Sequence, residues 1–302
     1  MRLLGILLGV VLASNAAGAE ELTGTLQKIK DTNQITIGYQ EASVPFSYLD
    51  GNQKPIGYAI DICLKIADAV KKQLDLPNLA IEMAPVTSSN RIPLLMNGTI
   101  DLHCSSTTNN AERQKLVDFA NTHFLSATRF AAKKSLNITT IDDLKGKAAV
   151  AVAGSTNIAQ LSKVNTERKL GMTVIPAKDQ LEAFLMMETD RAQADVLDDV
   201  QLAVAIARSK DPTAYMISTE AFSKPEPFGI MLRKDDAPFK AVEDRVTAEL
   251  YQSAEIEALY RKWFESPVPP SGINFNYPMP PALRSSFKHP SSSPDPDAYA
   301  VQ

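Results

Sequence analysis

Apolar positions along this chain follow two alternating rhythms. Short runs of β-branched and small apolar residues at 34–39, 79–84, 99–104, 127–132, 148–153, 172–175, 194–197, 215–217 and 228–232 predict strands. Between them the spacing lengthens to that of a helix. Cys63, Ile66, Ala67, Val70 and Leu74 lay one apolar stripe on a helix, leaving Lys65, Asp68, Lys71 and Lys72 to solvent. Shorter helices are predicted over 91–96, stopped by Asn97-Gly98, and over 141–144, closed by Gly146. Gly154-Ser155-Thr156 opens another and offers unpaired N–H groups to an anion. After Pro238, residues Phe239, Val242, Val246 and Leu250 share one face, and 256–264 continues as a further helix. Strands alternating with helices predict an α/β fold built on parallel sheet.

The two ends depart from this rhythm. Arg2 precedes an apolar run from Leu3 to Leu12, and Ala17-Gly18-Ala19 then fits a small-x-small cleavage site. The reading is a signal peptide over 1–19, cleaved after Ala19, and a mature protein in the periplasm. The run is too short to span a bilayer, and no later segment approaches the ~20 apolar residues that spanning needs. No Cys follows the cleavage site to carry a lipid. At the other end, Pro267, Pro269, Pro270, Pro278, Pro280 and Pro281 argue against regular structure, and 290–296 is rich in Ser, Pro and Asp. The region 267–302 is expected to be a tail, extended over 267–287 and disordered beyond. Export also gives Cys63 and Cys104, the only cysteines, two readings: a bridge in an oxidising compartment, or two separate buried thiols.

A chain of 302 residues suits two α/β lobes better than one core. The formal charge of −4, with no basic stripe, argues against a nucleic-acid partner. Catalytic residues are hard to find. His103, His123 and His289 have no metal-ligand spacing, and no phosphate-binding glycine loop occurs. Ser285 and Lys288 fit an S-x-x-K pattern only within the proline-rich tail, and Gly154-Ser155-Thr156 lacks the nucleophile elbow. No catalytic residue, metal or cofactor is therefore assigned. What remains are hydroxyls, amides and single charges just after predicted strands, where α/β sheets gather their ligands. These are Ser105-Ser106-Thr107-Thr108 with Arg113 beyond, Thr87-Ser88-Ser89-Asn90-Arg91, and Asp198-Asp199. A zwitterionic amino acid needs one cation and one carboxylate, which Arg113 and Asp198 supply.

Together these segments resemble the glutamate/aspartate-binding proteins of bacterial ABC importers, solute-binding protein family 3. The matching stretches are SVPFSYLD (43–50), GYAIDIC (57–63), TSSNRIPLLMNGTIDLHCSSTTNNAERQK (87–115), DLKGKAAVAVAGST (143–156), MLRKDD (231–236) and KWFESPVPP (262–270). The resemblance implies the two-lobed periplasmic binding-protein fold of type II, with two crossover strands as hinge. Lobe 1 would comprise 22–124 and 227–266, lobe 2 125–226, with crossings near 124–128 and 221–228. It implies that Arg113 takes the ligand α-carboxylate with Ser106, Thr108 and Thr156, and that Asp198 holds the ammonium. Ser88 and Arg91 would face the ligand side chain. Two positions depart from the family pattern: Gln40 stands where an Arg is usual, and Gln180 where a His is usual. Losing one charged hydrogen bond costs about 1.5–3 kcal/mol, so an amide ligand, glutamine or asparagine, stands beside glutamate and aspartate. The implied partners are the amino acid and an inner-membrane ABC permease, with the protein a monomer. Two other functions remain open: a ligand-sensing subunit of a membrane receptor, and an enzyme on the same scaffold with Glu41 or Asp199 as its acid.

Overall fold

The computed structural model describes residues 22–300, so the signal peptide read at 1–19 and its cleavage site lie outside the described residues. The chain opens with helix α1 (Gly24–Thr32) and strand β1 (Gln34–Tyr39). A small antiparallel sheet follows from β2 (Ala42–Ser43), β3 (Ser47–Leu49) and β4 (Pro55–Ile56). Then come α2 (Tyr58–Gln73), β5 (Ala80–Pro85), α3 (Arg91–Met96), β6 (Leu102–Cys104), α4 (Ala111–Gln114) and β7 (Val117–Phe119). The apolar stripe read from the sequence is the buried face of α2, with Ile62, Cys63, Ile66, Ala67 and Val70 inaccessible. The Cys63–Cys104 disulfide ties that face to β6.

Strand β8 (Phe124–Ser126) leaves the first lobe, and the second is built from β9 (Thr128–Lys133), β10 (Ala148–Val152), α5 (Thr156–Glu167), β11 (Thr173–Ala177), α6 (Gln180–Glu188), β12 (Ala194–Asp198), α7 (Asp199–Arg208) and β13 (Tyr215–Ile217). Strand β14 (Glu226–Phe228) returns, antiparallel to β8, with Ser126 opposite Glu226 and Phe124 opposite Phe228. It leads into β15 (Met231–Arg233), α8 (Ala237–Tyr251) and α9 (Ala254–Phe264). The two main sheets have the orders β5-β1-β6-β15-β7 and β11-β10-β12-β9-β13. In each, three parallel strands are followed on one side by an antiparallel strand that enters from a crossing, β15 or β9, and then by an edge strand antiparallel to it, β7 or β13. The crossover ribbon is anchored at one end: Phe124 and Phe228 are fully buried against Phe46, at centroid distances of 4.9 and 5.6 Å.

Two expectations are corrected. The run read as one strand over 228–232 is two strands in different sheets, β14 and β15. The chain leaves the ribbon at Gly229, where a Cβ would lie 2.9 Å from the Phe119 ring, and only then enters between β6 and β7. The tail expected to be extended and then disordered is folded. It forms a hairpin of β16 (Pro267–Val268) and β17 (Ile273–Asn274), then α10 (Pro281–Lys288), which buries Leu283 and Phe287. Pro281 opens α10 at a position whose N–H needs no helical partner, so proline does not oppose the helix there. Beyond it, Thr122 N–H donates to the Ser291 carbonyl, Asn109 Nδ2 to that of Ser292, and Tyr299 is buried. Lobe 1 thus supplies the partners that a polar, proline-rich segment cannot supply itself.

Candidate functional site

Each of the six parallel strands delivers a sequence-predicted site residue just past its carboxyl end. Strand β1 leads to Gln40, β5 to Ser88 and Arg91, and β6 to Ser106 and Thr108. Across the cleft β10 leads to Thr156, β11 to Gln180, and β12 ends at Asp198. Ser88, Arg91, Ser106, Thr108, Arg113, Thr156, Gln180 and Asp198 line one small interlobe cavity. Gln40 stands behind them, donating from Nε2 to Ser88 Oγ at 3.0 Å.

Arg113 lies on a four-residue helix that would not hold it unaided. The Asn110 side chain caps its backbone N–H at 2.9 Å, and its own Nη1 donates to the Thr108 carbonyl at 2.8 Å. Burial pushes the guanidinium down to about 10, with Glu226 and then Asp198 opposing that drop. Asp198 faces it from the other wall, 4% exposed, accepting from Asn157 Nδ2 at 3.1 Å. Burial raises this carboxyl to about 8, while Asn157 and Arg113 pull it back. Arg91 is buried at the first turn of α3, donating to Ser88 Oγ at 3.1 Å, with no partner for Nε. Burial, then the Arg113 charge, hold its pKa well below the usual guanidinium value. Gln40 Oε1 and Gln180 Oε1 are likewise buried without a hydrogen-bond partner in the protein.

The walls also bond directly to one another. Thr108 Oγ1 and Thr156 Oγ1 share a hydrogen bond of 3.1 Å. Gln201 on α7 donates to Ser43 Oγ at 2.9 Å and accepts from Ser106 Oγ at 3.2 Å. Sequence reasoning missed Gln201, Ser43 and Asn157. The available signal was Gln201 and Asn157 as amides on otherwise apolar helix faces, both buried here. It also missed Glu226 on β14, whose carboxylate accepts from Gln160 Nε2 at 2.8 Å.

The residues weighed for catalysis do not line the cavity. Asp199 accepts from Ser126 Oγ at 2.6 Å and pairs with Arg129 at 3.6 Å, while Glu41 lines a neighbouring groove. His103 bonds Thr107 and His123 bonds the Ser105 carbonyl, and burial lowers both imidazoles, His123 to about 3. Among the described residues no group of three or more His, Cys, Asp or Glu is placed to hold a metal ion.

The chain resembles proteins of known kind across nearly its whole length. It is 46% identical over 289 residues to the L-glutamate/L-aspartate-binding protein of Pseudomonas aeruginosa, covering 95% of each chain. It is 42% identical over 288 residues to the glutamate/aspartate import solute-binding protein of Escherichia coli, again covering 95% of each. A solved structure of an ancestral arginine-binding protein bound to arginine superposes with a TM-score of 0.68 at 28% identity, over 77% of this chain and 98% of that one. Residues 35–266 match the family model for bacterial extracellular solute-binding proteins, family 3, and the chain belongs to that family.

Proposed function

We propose that the interlobe cleft binds an acidic or polar L-amino acid, glutamate or aspartate first, and that the closed complex delivers it from the periplasm to an inner-membrane ABC permease. One observation carries this reading. A guanidinium, Arg113, and a carboxylate, Asp198, enter one small cavity from opposite lobes, complementary to the two charges of an amino-acid zwitterion. Arg113 takes the α-carboxylate with Ser106, Thr108 and Thr156, and Asp198 takes the ammonium. Ser88, Arg91, Gln40 and Gln180 meet the side chain. The ammonium favours the ionised form of Asp198 and so offsets the rise that burial in the closed cleft causes.

Lobes of 22–124 with 227–266 and of 125–226 close about the β8–β14 ribbon. The ligand favours the closed form through contacts that only that form makes. The protein acts as a monomeric carrier with no catalytic step. A second reading rests on the unpartnered Oε1 atoms of Gln40 and Gln180, which a ligand amide N–H would satisfy: glutamine or asparagine in the same cleft.

Titration calorimetry of the protein without residues 1–19, unfolded and refolded to remove carried-over ligand, decides between them. The expected result is micromolar or tighter binding of L-glutamate or L-aspartate. Tighter binding of the amides selects the second reading, and silence from all four overturns both. Asp198→Asn should weaken the bound ligand by about 30-fold or more, the roughly 2–5 kcal/mol lost when one partner of a buried charge pair is removed.

A further inference from the structure

We infer that Gln201 and Ser43 form, with Ser106, a latch across the cleft: a ring of three hydrogen bonds that holds the lobes together and so raises the affinity for every amino acid the cleft takes, whatever its side chain. The inference rests on the amino-acid reading above and narrows the part that Ser106 plays in it.

The ring joins three buried side chains from three separate elements. Ser43 ends β2, Ser106 lies just past β6, and Gln201 sits in the first turn of α7 in the second lobe. Gln201 Nε2 donates to Ser43 Oγ at 2.9 Å, the Ser43 and Ser106 hydroxyls share a bond of 2.9 Å, and Ser106 Oγ donates to Gln201 Oε1 at 3.2 Å. None of the three residues is more than 9% exposed. Both bonds that cross between the lobes end on Gln201.

A hydroxyl has one proton to give. With the ring closed, Ser43, Ser106 and the amide each donate once, so the Ser106 proton is spent. Turning the Gln201 amide over reverses the direction of the ring and leaves that count unchanged. Ser106 therefore has no proton for a ligand carboxylate while the ring is closed. The Thr108–Thr156 pair differs: its single bond consumes one of two hydroxyl protons and leaves the other for the α-carboxylate. Arg113 and the two threonines thus carry the anion, and Ser106 holds the wall. Ser43 is not among the residues that line the cavity, so it acts on the ligand through Ser106 and Gln201. The bonds to Gln201 form only where the lobes meet. They stabilise the closed form alone, and ligand affinity rises by the same factor.

The test is calorimetric titration and stopped-flow binding of L-glutamate and L-glutamine to the wild type, Gln201→Met, Ser43→Ala and the double variant. Methionine keeps the length of the side chain and removes both amide ends. Each single change should weaken binding about three- to tenfold, the usual net worth of a hydrogen bond, and by the same factor for both ligands. The loss should fall on the dissociation rate, since ligand enters the open cleft, where Gln201 stands apart from both serines. The double variant should lose clearly less than the product of the two single losses, because either change already opens the ring. The melting temperature of ligand-free Gln201→Met should match the wild type, because both hydrogen bonds of the amide cross the cleft. Unchanged affinity in Gln201→Met, fully multiplicative losses, a shifted glutamate-to-glutamine ratio or a lowered ligand-free melt each overturn the latch and leave the amino-acid reading in place. Where one ligand alone binds, its affinity, rate and double-variant comparison decide. Silence from both ligands in the wild type removes the reading beneath the inference, and the latch with it.

Discussion

Gly154 stands where the two walls of the cleft touch. Its φ of +76° is disfavoured for other L-residues, and a Cβ there would lie 2.8 Å from Ser89 Cα and 2.9 Å from the Ser88 carbonyl oxygen. That contact spans the lobes, so Gly154→Ala should act on closure more than on either core. Ligand affinity should fall about tenfold or more, roughly 1.4 kcal/mol. Calorimetry beside a thermal melt checks this, and unchanged affinity would show that closure leaves more room than the structure does. Asp195 is a different case, fully buried in β12 with neither carboxylate oxygen partnered. Burial raises it to about 8, so between its unfolded value near 4 and pH 8 the folded state holds the extra proton. Stability from this group is therefore greatest at low pH and declines as pH rises to 8, by at most about 1.4 kcal/mol per unit. Asp195→Asn should gain on the wild type across that window and level off above it. Denaturant melts at pH 5, 7 and 9 that stay parallel would disprove the assignment. The charge of Asp195 was legible in the sequence, but its isolation was not, because isolation depends on what α6 and the neighbouring strands place around it.

At the scale of elements, the disulfide couples α2 to β6, the strand that leads to Ser106 and Thr108. The cysteines are 41 positions apart. A loop of that length implies about 4 kcal/mol of stabilisation in the chain-entropy picture. Cys63→Ala with Cys104→Ala should lower the denaturation free energy by about 2–4 kcal/mol, and native protein should give no reaction with Ellman's reagent in the absence of reductant. Sequence periodicity found α2, α8 and α9 because their stripes are long. It missed α1, the β2–β3–β4 sheet and α10, which are short or polar and owe their form to the surface they pack on. Phe287 of α10, for example, lies 4.9 Å from the Tyr251 ring of α8.

Across the whole molecule, the chain passes between the two lobes through a narrow ribbon whose Phe124 and Phe228 end is set in the aromatic core of lobe 1. The tail runs along the same side, with Tyr299 sharing a hydrogen bond with Thr122 at 2.8 Å and Asp297 reaching Lys224. The exposed ion pair contributes little, whereas the buried aromatic ring is worth about 1.5–3 kcal/mol. Removing residues 290–302 should therefore lower stability by about that amount, and Tyr299→Ala should reproduce most of it in a urea titration. A truncated chain as stable as the full one would show the tail to be a passenger. The amino-acid sequence by itself determined the α/β alternation, the long helices and the polar residues at strand ends, since each depends on local spacing and on side-chain chemistry that neighbours in the chain declare. Only the tertiary structure decided that Gln201 bridges the walls and that the proline-rich tail is ordered. Those outcomes depend on burial and on fields between groups 70 or more positions apart, which no local pattern encodes.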